Sequence, residues 1–342
     1  MLCVARRAEF LKMGYRILSD EAVLNAVRRI AGEQIDNAIS EIQSNAIDDP
    51  ESVHQVRKRC KKIRGLIRLV RPRMDDTYQF ENAWYRDAAR KLSVLRDAHS
   101  MIGTIDSLME RFGDQVDGGT LARIGRQLKD RRSRIVRDEV DVRQRLTGLA
   151  GRMQQGRRRI DVWSFPETGF DAVSAGLAKT YSRGRKAMAI AYMEPSAERF
   201  HEWRKRTKYH WYHMRLLQSV WDKAMRARRE DVHLLSEYLG DAHDLAILGA
   251  TLRAEPDDFG DVRTVHLLLG LIDRRQAELY SEARPLGRRV FAEKPKHFVE
   301  RLGTYWEARQ SEAQREEQLS RQVVEFPPMT RSPQRHSERA SA

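Results

Sequence analysis

Apolar residues recur at three- and four-residue spacing along almost the whole chain, whereas strand-like alternation of apolar and polar residues is scarce. This spacing is typical of helices that bury one face. Most prolines lie between the periodic segments, where they end helices. The pattern predicts an all-α protein with helices over residues 20–45, 52–71, 76–112, 119–155, 170–192, 196–219, 224–253, 261–283 and 296–320.

The chain contains an internal repeat. A shift of 147 residues superposes two copies of the pattern H-x-x-R-K-x-x-K, formed by His54, Arg57, Lys58 and Lys61 and by His201, Arg204, Lys205 and Lys208. The match continues without a gap, since Arg68 meets Arg215 and Asp97 meets Asp244. A repeat of this kind predicts two antiparallel helical bundles related by pseudo-two-fold symmetry.

The same repeat divides the chain. We expect a first helical bundle at 20–160 and a second at 170–320, joined by a linker at 161–169 where the helical period breaks. An N-terminal extension covers 1–19. The polar, proline-containing tail at 321–342 has the composition of a disordered segment.

The first motif helix separates charge from apolar character. At 100° per residue, the basic residues from His54 to Arg68 fall on one side, in a row roughly 21 Å long, and the aliphatic residues fall on the other. Between Ser52 and Met74 there are nine Lys or Arg residues and no Asp or Glu. Because like charges one turn apart repel, an anion is expected to compensate them. The second motif repeats this arrangement, and two facing rows predict a basic central groove or pore.

Composition agrees with an anionic partner. The chain has 63 Lys and Arg against 49 Asp and Glu, a net charge of +14, which suits nucleic acid, an acidic membrane surface or a free polyanion. We expect a cytoplasmic protein without a membrane segment, because no apolar run is long enough to cross a bilayer and no secretory signal is recognisable. The thiols Cys3 and Cys60 fit a reducing compartment, with Cys60 as a small buried residue.

The paired motifs resemble the CHAD family, the conserved-histidine α-helical domain, over about residues 20–310. This resemblance implies a domain that binds inorganic polyphosphate in a basic pore and associates with polyphosphate granules. Its binding residues would be those on the two motif helices: His54, Arg57, Lys58, Lys61, Arg64, Arg68, His201, Arg204, Lys205, Lys208 and Arg215. Secondary candidates are Lys62, Arg183 and Lys186.

We expect neither catalysis nor a cofactor. The sequence has no phosphate-cradling glycine-rich loop, no carboxylate cluster for Mg²⁺ and no nucleophile elbow, so Asp97 and Asp244 are assigned structural roles. His210 and His213 lie one turn apart, but zinc sites draw on three or four ligands. His210 falls on an aromatic, apolar side, which favours a packed histidine over a metal ligand.

Two other functions remain open. Any cationic groove attracts nucleic acid, and single-strand binders stack bases on aromatic residues. Such residues are absent from 52–73 but present in the second motif, at Trp203, Tyr209, Trp211 and Tyr212. An adaptor that recruits other granule proteins is compatible with polyphosphate binding and would use the basic 119–159 segment or the tail. The sequence does not indicate an oligomeric state.

Overall fold

The computed structural model of the protein describes residues 14–43, 50–115, 118–137, 139–166 and 168–325. Within these ranges all regular elements are helical, which confirms the all-α prediction. The α-helices are α1 (Val23–Gln43), α2 (Pro50–Val70), α3 (Asp75–Arg90), α4 (Ser93–Phe112), α5 (Gly118–Arg137), α6 (Glu139–Ile160), α7 (Asp171–Met193), α8 (Ala197–Leu216), α9 (Asp222–Ala254), α10 (Val262–Val290) and α11 (Pro295–Glu325).

One long predicted helix is divided in the structure. The segment predicted as 76–112 forms α3 and α4, because Leu92 leaves the helical conformation (φ −103°, ψ 10°) and Ser93 Oγ donates to the Arg90 carbonyl oxygen at 2.8 Å. Serine side chains compete in this way with the helical ladder. The segment predicted as 119–155 is helical on both sides of residue 138, as α5 and α6, and residue 138 itself lies outside the described ranges. The other predicted helices are found near their expected limits.

The chain ends fall only partly within the described residues. Helix α11 continues to Glu325 and so includes the first five residues of the segment 321–342, for which we expected a disordered tail. Residues 326–342 and 1–13, with Cys3, lie outside the described ranges. Residues 14–17 are tied to the fold, since Ile17 N–H donates to the Leu216 carbonyl oxygen at 2.8 Å and Tyr15 is 5% exposed.

The amphipathic patterns of the motif helices determine how they pack. The aliphatic face of α2, from Val53 to Val70 and including Cys60, is buried. Phe200, Trp203 and Met214 of α8 are buried as well. Burial of these apolar faces is the dominant stabilising contribution and orients the basic faces of both helices away from the aliphatic core.

The buried apolar residues form two clusters. The larger lies among α1, α2, α3, α6, α7 and α8 and parts of the last three helices. The smaller lies among α4, α5, the second half of α9 and the first half of α10. Trp163, between α6 and α7, is 1% exposed, so the segment at the expected boundary is anchored in the larger core. None of the described helices has both the length and the apolar composition needed to cross a bilayer.

The helix limits follow the same 147-residue shift as the motifs. Helices α2 and α8 begin at Pro50 and Ala197, and α3 and α9 begin at Asp75 and Asp222. Short 3-10 turns precede α3 and α9, at 71–73 and 218–220. The long α9 spans the region that matches α3 and α4, so α5 and α6 correspond in order to α10 and α11.

Candidate functional site

Helices α2 and α8 cross in direct contact at Gly65. A Cβ atom at this position would lie 2.9 Å from the Cβ of Tyr212, so only glycine allows the helices to come this close. His213 Nε2 lies 3.1 Å from the Gly65 carbonyl oxygen and donates to it, because a carbonyl only accepts. Gly65 lies within the basic face of α2, so the crossing brings the two basic faces together.

The two residues in contact at the crossing, Gly65 and Tyr212, occupy equivalent positions in the two sequence repeats. Position 65 shifted by 147 residues is position 212. The neighbouring contacts are equivalent as well. Arg68 of α2 lies over the ring of Tyr209 of α8 at 4.1 Å, and the equivalent pair, Lys62 of α2 and Arg215 of α8, are close enough for Arg215 to lower the pKa of Lys62.

The motif residues of the two helices meet on one side of this crossing. Burial lowers the pKa of Lys208 to about 8, with further contributions from Arg204 on the same helix and Lys58 on α2. The Lys208 ammonium lies 4.2 Å from the centre of the Trp211 ring. Lys61 of α2 likewise contributes to the lowered pKa of His201. Each cationic row is therefore within electrostatic reach of the other.

His201 is neutral at physiological pH. Burial, followed by the charges of Arg204 and Lys205 and a smaller effect of Lys61, lowers its pKa to about 4. Its ring packs against that of His243 on α9, with 4.0 Å between ring centres. An anion among these cations would favour the protonated imidazole, which donates from both nitrogens.

The first motif is more open than the second at its start. The His54 side chain is exposed and that of Arg57 is half-buried. Arg57 Nη1 donates to the Ala89 carbonyl oxygen of α3 at 2.6 Å, which fixes the guanidinium beside the end of that helix. Lys58 and Lys61, further along α2, are half-buried.

The second motif departs from the expected excess of cations. Glu202 of α8 forms ion pairs with Lys205, at 2.5 Å, and with Arg206. Positive charge is therefore partly compensated on α8, whereas the sequence of α2 holds no acidic residue from Ser52 onward. The two repeats contribute unequally to the basic surface.

Arg64 and Arg68 lie on one flank of the crossing. Arg64 Nε and Arg68 Nη2 both donate to Asn82 Oδ1 of α3, at 3.2 Å and 2.9 Å. Arg68 is only 8% exposed, because Tyr209 covers one side of its guanidinium. Its position on the basic face did not predict this burial.

Lys62 and Arg215 lie on the opposite flank. Lys62 is 7% exposed, and burial together with the charge of Arg215 lowers its pKa to about 7. The guanidinium of Arg215 lies over the rings of Trp211 and Tyr15, 5.1 Å and 5.5 Å from their centres. Tyr15 belongs to the segment before α1, which therefore closes this flank.

Two arginines that we did not predict join the first flank. Arg71 follows α2 and Arg206 lies on α8, and the charges of Arg68 and Arg183 act on both. The secondary candidates Arg183 and Lys186 are exposed on α7. The sequence held a signal for Arg71, which lies three residues beyond Arg68 on the basic face, and for Arg206, which is the repeat equivalent of Arg59.

The two histidines of the metal hypothesis have separate environments. His210 packs against the rings of Tyr181 and Phe298, at 5.3 Å and 5.5 Å, as its apolar position predicted. His213 contacts the α2 backbone at Gly65. Across the described ranges, no group of three or more His, Cys, Asp or Glu side chains has the arrangement of a metal site.

A cavity of about 670 Å³ lies beside the motif region, between α4, α9 and α10. Asp244 lines it and accepts a hydrogen bond from Ser100 Oγ at 2.6 Å. This bond joins α9 to α4. Asp241, one turn earlier, has a raised pKa because of burial and the neighbouring Asp244 charge.

Comparisons with known proteins identify a family and solved structures that align with this chain. The CHAD domain model matches residues 30–253. The crystal structure of the CHAD domain from the plant Ricinus communis aligns with a TM-score of 0.58 and 15% sequence identity, over 81% of this chain and 94% of that one. PptA from Streptomyces chartreusis aligns with a TM-score of 0.48 and 13% identity, over 78% and 98%. No curated protein matches the sequence.

Proposed function

Because the chain belongs to the CHAD domain family, we propose that it binds inorganic polyphosphate on the basic surface where α2 and α8 meet. The binding residues are those of the two H-x-x-R-K-x-x-K motifs with the arginines that flank the crossing. The repeated helix limits and the equivalent contacts around Gly65 support two bundle halves, 20–160 and 170–320, related by pseudo-two-fold symmetry. A basic pore or groove then lies on the axis between them.

The observation that carries this proposal is the meeting of the two motifs. Lys58 acts on Lys208, and Lys61 acts on His201, across the helix boundary. Holding like charges together in a partly buried site is unfavourable unless an anion compensates them. Both helices are fixed by their buried apolar faces, so the cations cannot move apart to relieve the repulsion.

A linear phosphate chain suits this mixture of cations. Arginine donates two hydrogen bonds in one plane to phosphoryl oxygens, whereas lysine provides a compact charge that tolerates several positions of the chain. The motifs place both types on each helix. Such a set binds repeated phosphates without requiring a single register, as expected for a polymer with identical units. Binding without catalysis is sufficient for this role, and granule association follows from the polymer itself.

The burial of the α8 aromatic residues favours polyphosphate over single-stranded nucleic acid. Trp203, Tyr212 and Trp211 are 0%, 1% and 7% exposed, and Tyr209 is covered by the Arg68 guanidinium. Base-stacking sites require accessible ring faces. The aromatic residues that kept nucleic acid open as an alternative therefore form the packing between helices. An adaptor function remains compatible with polyphosphate binding and would use other surfaces.

The proposal is tested by titration with long-chain polyphosphate. The double variant Lys61→Glu/Lys208→Glu replaces one lysine of each motif, and we expect its affinity to fall by at least tenfold. The control, Lys129→Glu/Lys296→Glu, changes net charge equally at two exposed lysines on α5 and α11. Equal losses in both double variants would show general charge attraction and would contradict a site at the crossing.

A competition experiment distinguishes polyphosphate from single-stranded nucleic acid as the preferred ligand. Long-chain polyphosphate is expected to displace labelled single-stranded DNA from the wild type at a lower concentration of phosphate groups than the reverse displacement requires. Preference for DNA, measured at the same salt concentration, would make nucleic acid the better assignment.

A further inference from the structure

The arginines at the C-terminal end of α2 form a cluster distinct from the motif lysines. Arg64 and Arg68 share the side-chain oxygen Oδ1 of Asn82 as an acceptor, and Arg68 stacks on Tyr209. Arg71 follows in the next turn, where the short 3-10 segment begins. The partners here are a neutral amide and two tyrosines, since Tyr78 also hydrogen-bonds Arg71. None of them supplies a compensating carboxylate.

Two of these guanidiniums are almost fully buried with hydrogen-bonding capacity left over. Arg68 and Arg71 are each 8% exposed. Arg68 Nε, and both Nε and Nη2 of Arg71, have no acceptor among the described residues. Buried N–H groups without acceptors are unfavourable, and charged ones more so. The geometry leaves donors at a position where an anion would satisfy them.

Two further cations, on α7 and α8, are near enough for their charges to interact with this cluster. Burial lowers the pKa of Arg71, Tyr78 opposes this effect, and the charges of Arg68 and Arg183 lower the pKa further. Burial also lowers the pKa of Arg206, again with contributions from Arg183 and Arg68. The carboxylate beside Arg206 is Glu202, which also pairs with Lys205. Positive charge therefore remains in excess.

We propose that Arg68, Arg71, Arg183 and Arg206 form a site for a single phosphate group with three unprotonated oxygens, either the orthophosphate dianion or the terminal phosphate of a chain. The second source rests on the proposed function, and the first does not. In this arrangement the motif region holds the length of the polymer, while the arginine pocket receives its end.

Charge and geometry favour a terminal group. An internal phosphate of a chain has two bridging oxygens, so only two oxygens accept hydrogen bonds strongly and the group carries about one charge. A terminal group has three non-bridging oxygens and up to two charges, with the second proton lost near pH 6 as in phosphate monoesters. The dianion of orthophosphate likewise has three unprotonated oxygens and two charges. Several arginines, each donating two bonds in a plane, suit the richer acceptor.

The helix crossing separates the pocket from the lysines. Gly65 and Tyr212 are in contact between them, and the Tyr209 ring lies against Arg68 on the pocket side. Lys208 faces the motif region and stacks on Trp211. Substitutions on one side therefore leave the groups of the other side in place.

Calorimetric titration with three probes tests the pocket: orthophosphate, linear triphosphate and cyclic trimetaphosphate, which has no terminal group. The wild type is expected to bind the first two, and trimetaphosphate at least tenfold more weakly than triphosphate. Arg71→Met and, separately, Arg183→Met are expected to weaken orthophosphate binding by at least tenfold. Arg183 is exposed, so its replacement keeps the test independent of core packing.

The matched control is Arg199→Met, which removes an exposed arginine of α8 that pairs with Glu194 at 3.0 Å. Its orthophosphate affinity is expected to stay within twofold of the wild type. Absence of orthophosphate binding to the wild type, equal binding by Arg71→Met and Arg183→Met, or equal affinity for trimetaphosphate and triphosphate would each overturn the pocket.

The two proposals fail separately. The Lys61→Glu/Lys208→Glu variant is expected to lose long-chain polyphosphate binding and to keep orthophosphate binding. If the wild type binds orthophosphate through Arg71 but does not bind long chains, the polymer function is wrong and the pocket stands. If long chains bind and Arg71→Met leaves orthophosphate binding unchanged, the pocket is wrong and the polymer function stands.

Discussion

Two lysines of the proposed site lie in an environment that disfavours their charge. Lys208 and Lys62 have pKa values lowered to about 8 and about 7, first by burial and then by neighbouring cations. Both groups would be fully charged at neutral pH in the unfolded chain, where a lysine titrates near pH 10.4. Folding therefore disfavours the charged forms of these lysines. An anion that stabilises the charged forms gains binding energy.

Replacing Lys208 is expected to stabilise the free protein and to weaken binding. Lys208→Met keeps the aliphatic stem and removes the disfavoured charge. The free energy of unfolding in urea at pH 7 should be about 1–2 kcal/mol higher than that of the wild type. Loss of the cation–π contact with Trp211 offsets the remaining part of the electrostatic gain. Lys129→Met, at an exposed position, should change stability by less than about 0.5 kcal/mol. A destabilised Lys208→Met variant would show that the charge is already compensated in the free protein.

The lowered pKa of Lys208 also determines whether stability rises or falls with pH. Since the folded pKa lies below the unfolded one, the folded state binds fewer protons between about pH 8 and pH 10, and the Lys208 contribution to stability rises with pH in that window. Urea unfolding from pH 7 to pH 9.5 should therefore show a smaller upward slope for Lys208→Met than for the wild type. Equal slopes would rule out a lowered pKa.

Polyphosphate affinity is expected to be higher at pH 6 than at pH 8. A bound anion raises the pKa values of His201, Lys62 and Lys208, which are about 4, 7 and 8 in the free protein. Binding then takes up protons, so acid conditions favour it. Titrations at constant ionic strength check this, and proton uptake is measurable from the buffer dependence of the heat. Affinity that is independent of pH would remove these three groups from the site.

At the residue level, the sequence predicted the chemistry better than the surroundings. Helical periodicity correctly assigned the aliphatic face of α2 to the core, and His210 to an aromatic environment. It did not predict that Lys62 and Arg68, both on the basic face, are buried. Periodicity indicates which face of a helix is polar, whereas the burial of a polar side chain depends on which other helix covers that face.

At the level of the elements, close helix contacts depend on two glycines. Gly65 allows α8 to cross α2, and Gly176 of α7 lies so near the end of α2 that a Cβ atom there would be 1.8 Å from the Leu69 carbonyl oxygen. Backbone atoms cannot rotate away as side chains can. The position of α2 against α7 and α8, and with it the spacing of the cationic rows, therefore depends on these positions.

Gly176→Ala is expected to destabilise the protein by more than the roughly 1–3 kcal/mol of ordinary overpacking, because α7 must move away from α2. The control is Gly103→Ala on α4, where an added Cβ meets no atom within 4 Å. That variant should gain about 0.5–1 kcal/mol from the better helix propensity of alanine. Urea unfolding measures both, and a neutral Gly176→Ala variant would contradict the close approach of α7.

The sequence predicted most helices and missed one interruption, at Leu92. The break at Leu92 follows a run of helix-forming residues without proline or glycine. Ser93 was the local signal, and it is a weak one because serine also occurs inside helices. The equivalent region of the second repeat, within α9, continues without interruption. Similar sequence patterns thus give one helix or two according to the tertiary packing around them, which the repeat alone does not determine.

At the level of the whole molecule, two interpretations of the net charge of +14 must be separated. A strongly cationic protein attracts any polyanion through its overall field. A site formed by opposed rows on α2 and α8 adds a local contribution that depends on particular lysines. The sequence predicted the rows and their repeat, but the crossing at Gly65 and Tyr212, which places the motif residues on one side and the arginines on a flank, required the structure.

Polyphosphate is expected to raise the melting temperature of the wild type, because a ligand that binds only the folded state stabilises it by mass action. Chains longer than the two rows should give the larger shift, since one chain then contacts both motifs.

The affinity should fall steeply with salt, as expected when many phosphate charges are neutralised together. The Lys61→Glu/Lys208→Glu variant should lose most of the thermal shift and show a shallower salt dependence. The charge-matched Lys129→Glu/Lys296→Glu variant should keep both, and if the two variants behave alike, the overall field rather than the helix crossing holds the polymer.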